Sequence, residues 1–355
     1  MKSRISKEIK RISKLDSYVR PSKIEDAFKL DSNENFALDF EFINAIAADA
    51  VKKTDIREYP LEQLDRLYLE LARYTGVNEK FIGIGSGSDQ IIELLLSTLG
   101  KDCRATVFTP TFSYFINRCE LHGIKVDEIP LDKNFELDLK PFLKSAEKSD
   151  IVYLCSPNNP TGNQIDKKTI SKVIESLKDK LILVDEAYSD FADYSLSDSA
   201  TKRDNVIVLR TLSKAFGLAG ARVGYMITNE KLADLFRTTI QSPYPVSTLS
   251  LTIAAGVLEK SDFVKNTINE IKNERKRMFG RLASVNGIKA FKSDANFIFM
   301  ETGRKYNALL KALDAADIVV KALGKMNGRN GCMRVTIGTK EMNEKFLNCV
   351  EEAAS

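Results

Sequence analysis

The feature that most narrows the fold is a series of short, unbroken apolar runs along the middle of the chain, at 81–84, 105–108, 151–154, 181–184, 206–209 and 223–227. Runs of this length separated by helical patterns are the strands of a mostly parallel sheet covered on both faces. The fold class is therefore α/β. Ligands of such sheets bind outside the carboxyl ends of the strands. The residues with the most evident chemistry stand where these runs stop.

Lys214 follows the run 206–209 in Arg210-Thr211-Leu212-Ser213-Lys214-Ala215-Phe216-Gly217, and Arg222 comes shortly after it. A lysine leaving a buried strand between hydroxyls and an arginine suits Schiff-base chemistry on a phosphorylated aldehyde. Pyridoxal phosphate fits that description. Two earlier strand ends, Cys155-Ser156-Pro157-Asn158-Asn159-Pro160-Thr161-Gly162 and Asp185-Glu186-Ala187-Tyr188, supply the other groups this cofactor needs. Asp185 is expected at a buried strand end, where an unpaired charge is costly. A protonated pyridine nitrogen would be its partner and would keep the ring electron-withdrawing. An aspartate capping the next helix is the plainer alternative. Tyr188 and Asn159 can both donate to the ring's phenolic oxygen, and Phe112 can either stack on the ring or belong to the core.

Gly85-Ser86-Gly87-Ser88-Asp89-Gln90 opens an apolar helix. Its free amide donors, with the Ser88 hydroxyl, make an anion site suited to phosphate. A simple strand-to-helix turn is the competing reading. A dinucleotide fingerprint fits poorly, because Ser88 falls where glycine or alanine belongs. Ser213 and Arg222, with Thr211 assisting, would hold the same phosphate from the other side, since a guanidinium fork matches phosphate oxygens.

A chain of 355 residues, 43% hydrophobic, can bury enough core for two domains. The segment 35–255 reads as a large α/β domain and 256–355 as a smaller α+β domain that begins within a long helical stretch running from Pro245 to about Ala283. The residues 1–34 read as an arm that packs with the small domain or on a partner subunit. Ile5, Ile9 and Ile12 stand at helical spacing in this basic arm, without a signal-peptide core or a membrane span. A formal charge of +4 from 53 basic and 49 acidic residues is nearly balanced and argues little for nucleic acid, so no nucleic-acid partner is expected. Five cysteines without a C-x-x-C pair point to a reduced, cytoplasmic protein. A single histidine, His122, argues against metal catalysis; beside Gly123 it reads as a helix C-terminal cation.

These motifs together resemble the fold-type I pyridoxal-phosphate aminotransferases, and most closely the histidinol-phosphate group. The residues that carry the likeness are Asn33-Glu34-Asn35, Arg57-Glu58-Tyr59-Pro60, Gly87-Ser88-Asp89, the segments around Asn159, Asp185 and Lys214, Ala219-Gly220-Ala221-Arg222, and Arg334-Val335-Thr336-Ile337-Gly338. The resemblance implies that Lys214 forms the Schiff base and moves the proton, Asp185 holds the pyridine nitrogen, and Asn159 and Tyr188 bind the phenolic oxygen. Phe112 takes the stacking position. Ser88, Asp89, Gln90, Thr211, Ser213 and Arg222 surround the phosphate, and Tyr59 reaches the cofactor of a partner subunit in a homodimer with shared active sites. Tyr18, Asn35, Lys321 and Arg334 match positions near the substrate, which is expected to be a phosphorylated amine in one half-reaction and glutamate or 2-oxoglutarate in the other.

Two positions depart from the group. Lys321 stands where a second arginine is common, and a lysine keeps the charge but loses the fork. Phe36 replaces the proline that usually follows Asn35. The amine therefore has two readings, histidinol phosphate or another small phosphorylated amine or amino acid, including threonine phosphate undergoing decarboxylation. A cofactor-binding regulator without turnover is a rival from another class, but no DNA-binding module accompanies it.

Overall fold

The computed structural model describes residues 3–15, 27–99 and 102–354. Among them twelve strands form two sheets: β1 (Phe28–Leu30), β2 (Ile82–Gly85), β3 (Arg104–Thr109), β4 (Lys125–Pro130), β5 (Ile151–Cys155), β6 (Leu181–Asp185), β7 (Val206–Thr211), β8 (Gly224–Ile227), β9 (Lys289–Ala290), β10 (Phe297–Glu301), β11 (Ile318–Met326) and β12 (Arg329–Thr336). The larger sheet runs β2-β8-β7-β6-β5-β3-β4. Its neighbours from β7 to β4 are parallel, while β8 is antiparallel to both β2 and β7.

Burial follows position in this sheet. β5, β7 and β8 are buried throughout and β6 nearly so, as expected of strands covered on both faces. The edge strand β4 is half exposed and carries Lys125, Asp127 and Glu128, charges that discourage further strand pairing. Register then sets the site: Cys155 is paired with Asp185, and Asp185 with Leu209, so the carboxyl ends of β5, β6 and β7 finish side by side.

The smaller sheet runs β1-β11-β12-β10-β9 and is antiparallel apart from β1, which pairs with β11 in parallel. The helical stretch after Pro245 is two helices, Thr248–Glu259 and Ser261–Ser284, divided at Lys260. In the second, Val264, Ile268, Ile271, Met278 and Leu282 are buried along one stripe. Its other side ties to the last helix, Lys340–Ala354, where Arg277 and Arg281 pair with Glu344 at 2.6 Å each.

The two sheets are clasped where the turn after β11 meets the loop after β4. Asn327 Nδ2 donates to the carbonyls of Leu131 and Asp132 at 3.1 and 3.0 Å. Phe135, fully buried, packs edge-on against Phe291 and Phe299 at 5.0 and 5.1 Å. At the amino end, the helix Arg4–Ile12 leaves Ile5 and Ile9 exposed, and Arg11 donates to the carbonyls of Glu120 and Leu121 at the end of the helix Ser113–His122. That helix closes on Gly123 at φ 72, and His122 bonds Glu93 at 2.8 Å. No helix among the described residues is long and apolar enough to cross a membrane.

Candidate active site

A cavity of about 390 Å³ opens at the carboxyl ends of β5, β6 and β7 and is closed from the other side by β11 and β12. It brings together Ser88, Asp89, Phe112, Asn159, Asp185, Tyr188, Thr211, Ser213, Lys214, Arg222, Lys321 and Arg334. Residues that sequence reasoning did not single out also line it: Asp31, Ser32, Thr111, Cys155, Leu323 and Met326.

Lys214 leaves β7 through the turn after Leu212 and donates from Nζ to the Ser32 carbonyl at 3.0 Å. Burial, reinforced by the positive charge of Arg334, pulls its ammonium down to about 8. Neutral amine is thus present near neutral pH, the form needed for attack on a carbonyl. Asp185, 2% exposed, ends β6. Burial pushes its carboxyl up to about 6, against the opposing hydrogen bond from Tyr153. No cation among the described residues lies within ion-pair distance of it. A buried acid without a cation of its own is the environment that a protonated ring nitrogen completes.

Tyr188, the third residue after Asp185, accepts from Asn33 Nδ2 at 2.9 Å. Its own hydroxyl proton remains available to a ligand oxygen, and burial raises the phenol to about 12. Asn33 holds left-handed backbone at φ 56, and its carbonyl accepts from Asn296 and its amide donates to Thr336, so the small sheet sets Tyr188 through it. Asn159 accepts from Arg334 Nη1 at 2.6 Å, and Arg334 Nη2 bonds the Asp31 carbonyl. Arg334 Nε is buried with no hydrogen-bond partner among the described residues, leaving a donor for an anion.

The phosphate end is shaped by two close approaches. A Cβ on Gly224 would stand 2.2 Å from the Ser88 nitrogen, and one on Gly87 would stand 2.7 Å from Arg222 Nη2. Only glycine at Gly224 lets β8 run against the start of the helix Gly87–Leu99. Arg222, itself left-handed at φ 54, donates to Ser213 Oγ at 3.4 Å and to Asp89 Oδ2 at 3.1 Å. Helix amides, two hydroxyls and a guanidinium facing one space are the donor set of a phosphate dianion. The residues present fit pyridoxal phosphate: anion donors at one end, a lone acid at the other, and an amine with a lowered proton affinity between them.

Three expected positions lie elsewhere, and a fourth cannot be placed among the described residues. Gln90 turns back, its Oε1 accepting from the Ser86 amide at 2.7 Å and from Gln241, so it holds the glycine-rich turn rather than facing the cavity. Asn35 donates to the Ala215 carbonyl at 2.8 Å and accepts from the Leu38 amide; it braces the lysine loop from behind. Tyr59 is 74% exposed, stacked on Tyr244 at 4.5 Å, and is absent from the cavity wall of its own chain. Tyr18 lies outside the described residues. Lys321 does reach the cavity wall, paired in register with Arg334 across β11 and β12, and forms no ion pair among the described residues.

The family model "Aminotransferase class I and II" matches residues 25–350. Histidinol-phosphate aminotransferase of Thermoanaerobacter sp. (strain X514) is 36% identical over 332 residues, 92% of each chain. The protein of the same name from Pyrococcus furiosus is 36% identical over 306 residues, 86% of each. Among solved structures, histidinol-phosphate aminotransferase from Sinorhizobium meliloti in complex with pyridoxal-5'-phosphate superposes with a TM-score of 0.86, covering 100% of this chain and 98% of that one at 23% identity, a likeness of fold.

Proposed function

The chain belongs to the class I and II aminotransferase family, and from that premise we propose that it transfers the amino group of histidinol phosphate to 2-oxoglutarate, with pyridoxal phosphate as cofactor. The observation that carries this reading is the single cavity in which Lys214 stands with Asp185, an Arg222–Ser213 anion site and Arg334. Bound pyridoxal phosphate supplies an aldehyde for amine exchange and a ring that takes up electrons from the substrate carbon.

The chain's own groups do the rest. Ser88, Ser213 and Arg222 bind the phosphate, Asp185 holds the proton on the ring nitrogen, and Asn159 and Tyr188 donate to the ring oxygen. Lys214 Nζ takes the proton from the substrate's amine-bearing carbon and gives it back on the other side of the exchange. Arg334 binds an anion in both halves of a ping-pong cycle, a phosphate ester in one and glutamate's carboxylate in the other. Lys321, one strand away, adds charge for the ester without a second fork.

The same reading makes the active unit a homodimer in which Tyr59 serves the partner's site. Its support is the exposure of the large apolar side chains of Phe40, Ile56, Tyr59 and Leu61. It also divides the chain near 255 into a large cofactor domain and a small one, with the residues before 35 as an arm, and sets it in the reducing cytoplasm, which five cysteines without a C-x-x-C pair support. The test is a half-reaction: the cofactor-loaded protein is mixed with histidinol phosphate alone. Formation of pyridoxamine phosphate and one equivalent of ketone supports the proposal. No change with this amine, or carbon dioxide released from threonine phosphate instead, overturns it.

A further inference from the structure

We propose that Tyr153 is a positioning residue of the cofactor site, its hydroxyl fixing the Asp185 carboxylate in the orientation that meets the ring nitrogen of pyridoxal phosphate. The inference rests on the cofactor reading above and adds to it a residue that touches neither cofactor nor substrate. In the β5–β6 register Tyr153 faces Leu183 and Cys155 faces Asp185, which makes Tyr153 the diagonal neighbour of the acid. Long side chains span that separation. The Tyr153 hydroxyl donates to Asp185 Oδ2 at 2.6 Å.

The donor is itself packed in place. Tyr153 is fully buried, and its ring lies on Phe115 with centroids 4.1 Å apart and planes 11° from parallel. The other carboxylate oxygen, Oδ1, accepts from the Ala187 amide at 3.1 Å. One donor on each oxygen fixes the plane of the carboxylate before any ligand arrives. A hydroxyl given to a carboxylate also favours its charged form, and a charged acid is what retains a proton on a ring nitrogen. The other ionisable groups that face Asp185 are Asp89 on the helix Gly87–Leu99, Lys214 in the loop after β7, Cys155 on β5 and Tyr188 beyond β6. Of these, only Lys214 acts with Tyr153 to favour the charge.

Tyr153→Phe keeps the ring and its stack and removes only the hydroxyl. In the cofactor-free, full-length protein, unfolding free energy is measured from pH 4 to 8 for this variant and for the wild type, each against the same chain carrying Asp185→Asn. The difference curve reads the ionisation of Asp185. Its midpoint is expected at higher pH in the Tyr153→Phe background, whereas a merely structural hydroxyl lowers stability equally at every pH. The Kd for pyridoxal phosphate is expected to rise about tenfold, the scale of one hydrogen bond to a charged group. Tyr153→Phe should add nothing further once Asp185→Asn is present. An unmoved midpoint with unchanged Kd, or losses that simply add, overturns the proposal. If Asp185→Asn alone leaves cofactor binding intact, the cofactor reading falls and this proposal with it; a strong effect of Asp185→Asn with a silent Tyr153→Phe removes this proposal alone.

Discussion

Arg334 and Asn159 stand 2.6 Å apart, Nη1 donating to Oδ1, although Arg334 belongs to the small sheet and Asn159 to the loop after β5 in the large one. With its oxygen engaged, Asn159 has its amide hydrogens left for the cavity. The guanidinium assigned to the substrate anion therefore also orients a donor assigned to the cofactor, and substrate binding and cofactor geometry are coupled through one side chain.

Arg334→Ala is expected to raise KM for both the phosphorylated amine and glutamate by roughly 10- to 100-fold, since a hydrogen bond to a charged group contributes about 1.5 to 3 kcal/mol. Arg334→Lys should fall between, because charge without the fork cannot hold Asn159, the Asp31 carbonyl and an anion at once. Steady-state kinetics on each substrate checks this. A loss confined to the phosphate ester would place glutamate's carboxylate elsewhere.

Asp185→Asn is expected to make the cofactor-free protein more stable at pH 7 while weakening its hold on pyridoxal phosphate. The folded carboxyl titrates near 6 against an ordinary value of 3.8, because of burial. The folded state thus gains from protonation below pH 4, and that advantage is lost as pH rises through about 6. A shift of this size is worth about 3 kcal/mol. Denaturant unfolding of both proteins at pH 4 and pH 7 should show the variant's relative gain appearing only at the higher pH.

The pH dependence of cofactor capture should follow Lys214. Its ammonium is depressed to about 8 by burial and by Arg334, so the neutral amine grows in as pH rises through 8. Stopped-flow absorbance after mixing apoprotein with pyridoxal phosphate is expected to give rates that climb to a plateau above that value. In Arg334→Ala the midpoint should move up, because a repelling charge has been removed.

Two inactive variants should restore each other. In a dimer with shared sites, one subunit carrying Lys214→Ala and one carrying Tyr59→Ala form one doubly defective site and one intact site. Mixed, unfolded and refolded together, they are expected to turn over faster than either variant alone. Activity no higher than the average of the two would put Tyr59 outside the partner's site.

The parts of the site that could be read from the chain are those marked by an abrupt change of character. Asp185 ends an apolar run, Lys214 and Arg222 sit among hydroxyls and glycines, and each lies on the cavity wall. What stayed hidden depends on tertiary contact. Ser32 acts through its carbonyl, which any residue supplies, and Tyr153 lies inside an apolar strand, where it reads as core. Gln90 and Asn35 have the right polarity beside the right motifs, but their side chains close local turns instead. The fold shows the same division. The buried strands β5 to β8 announce themselves, whereas β4 alternates charge with apolar residues and β1 has only three residues, so neither stands out before its pairing is known.

A covalent bond between one amine of this chain and the cofactor's aldehyde underlies every role assigned above, and reductive trapping detects it. The protein is loaded with pyridoxal phosphate, treated with borohydride, digested and sequenced by mass spectrometry. A phosphopyridoxyl group on the peptide bearing Lys214, and its loss in Asp185→Asn under limiting cofactor, is the result expected; a stable adduct on a different lysine, with Lys214 unmodified, would remove Lys214 from the Schiff-base role.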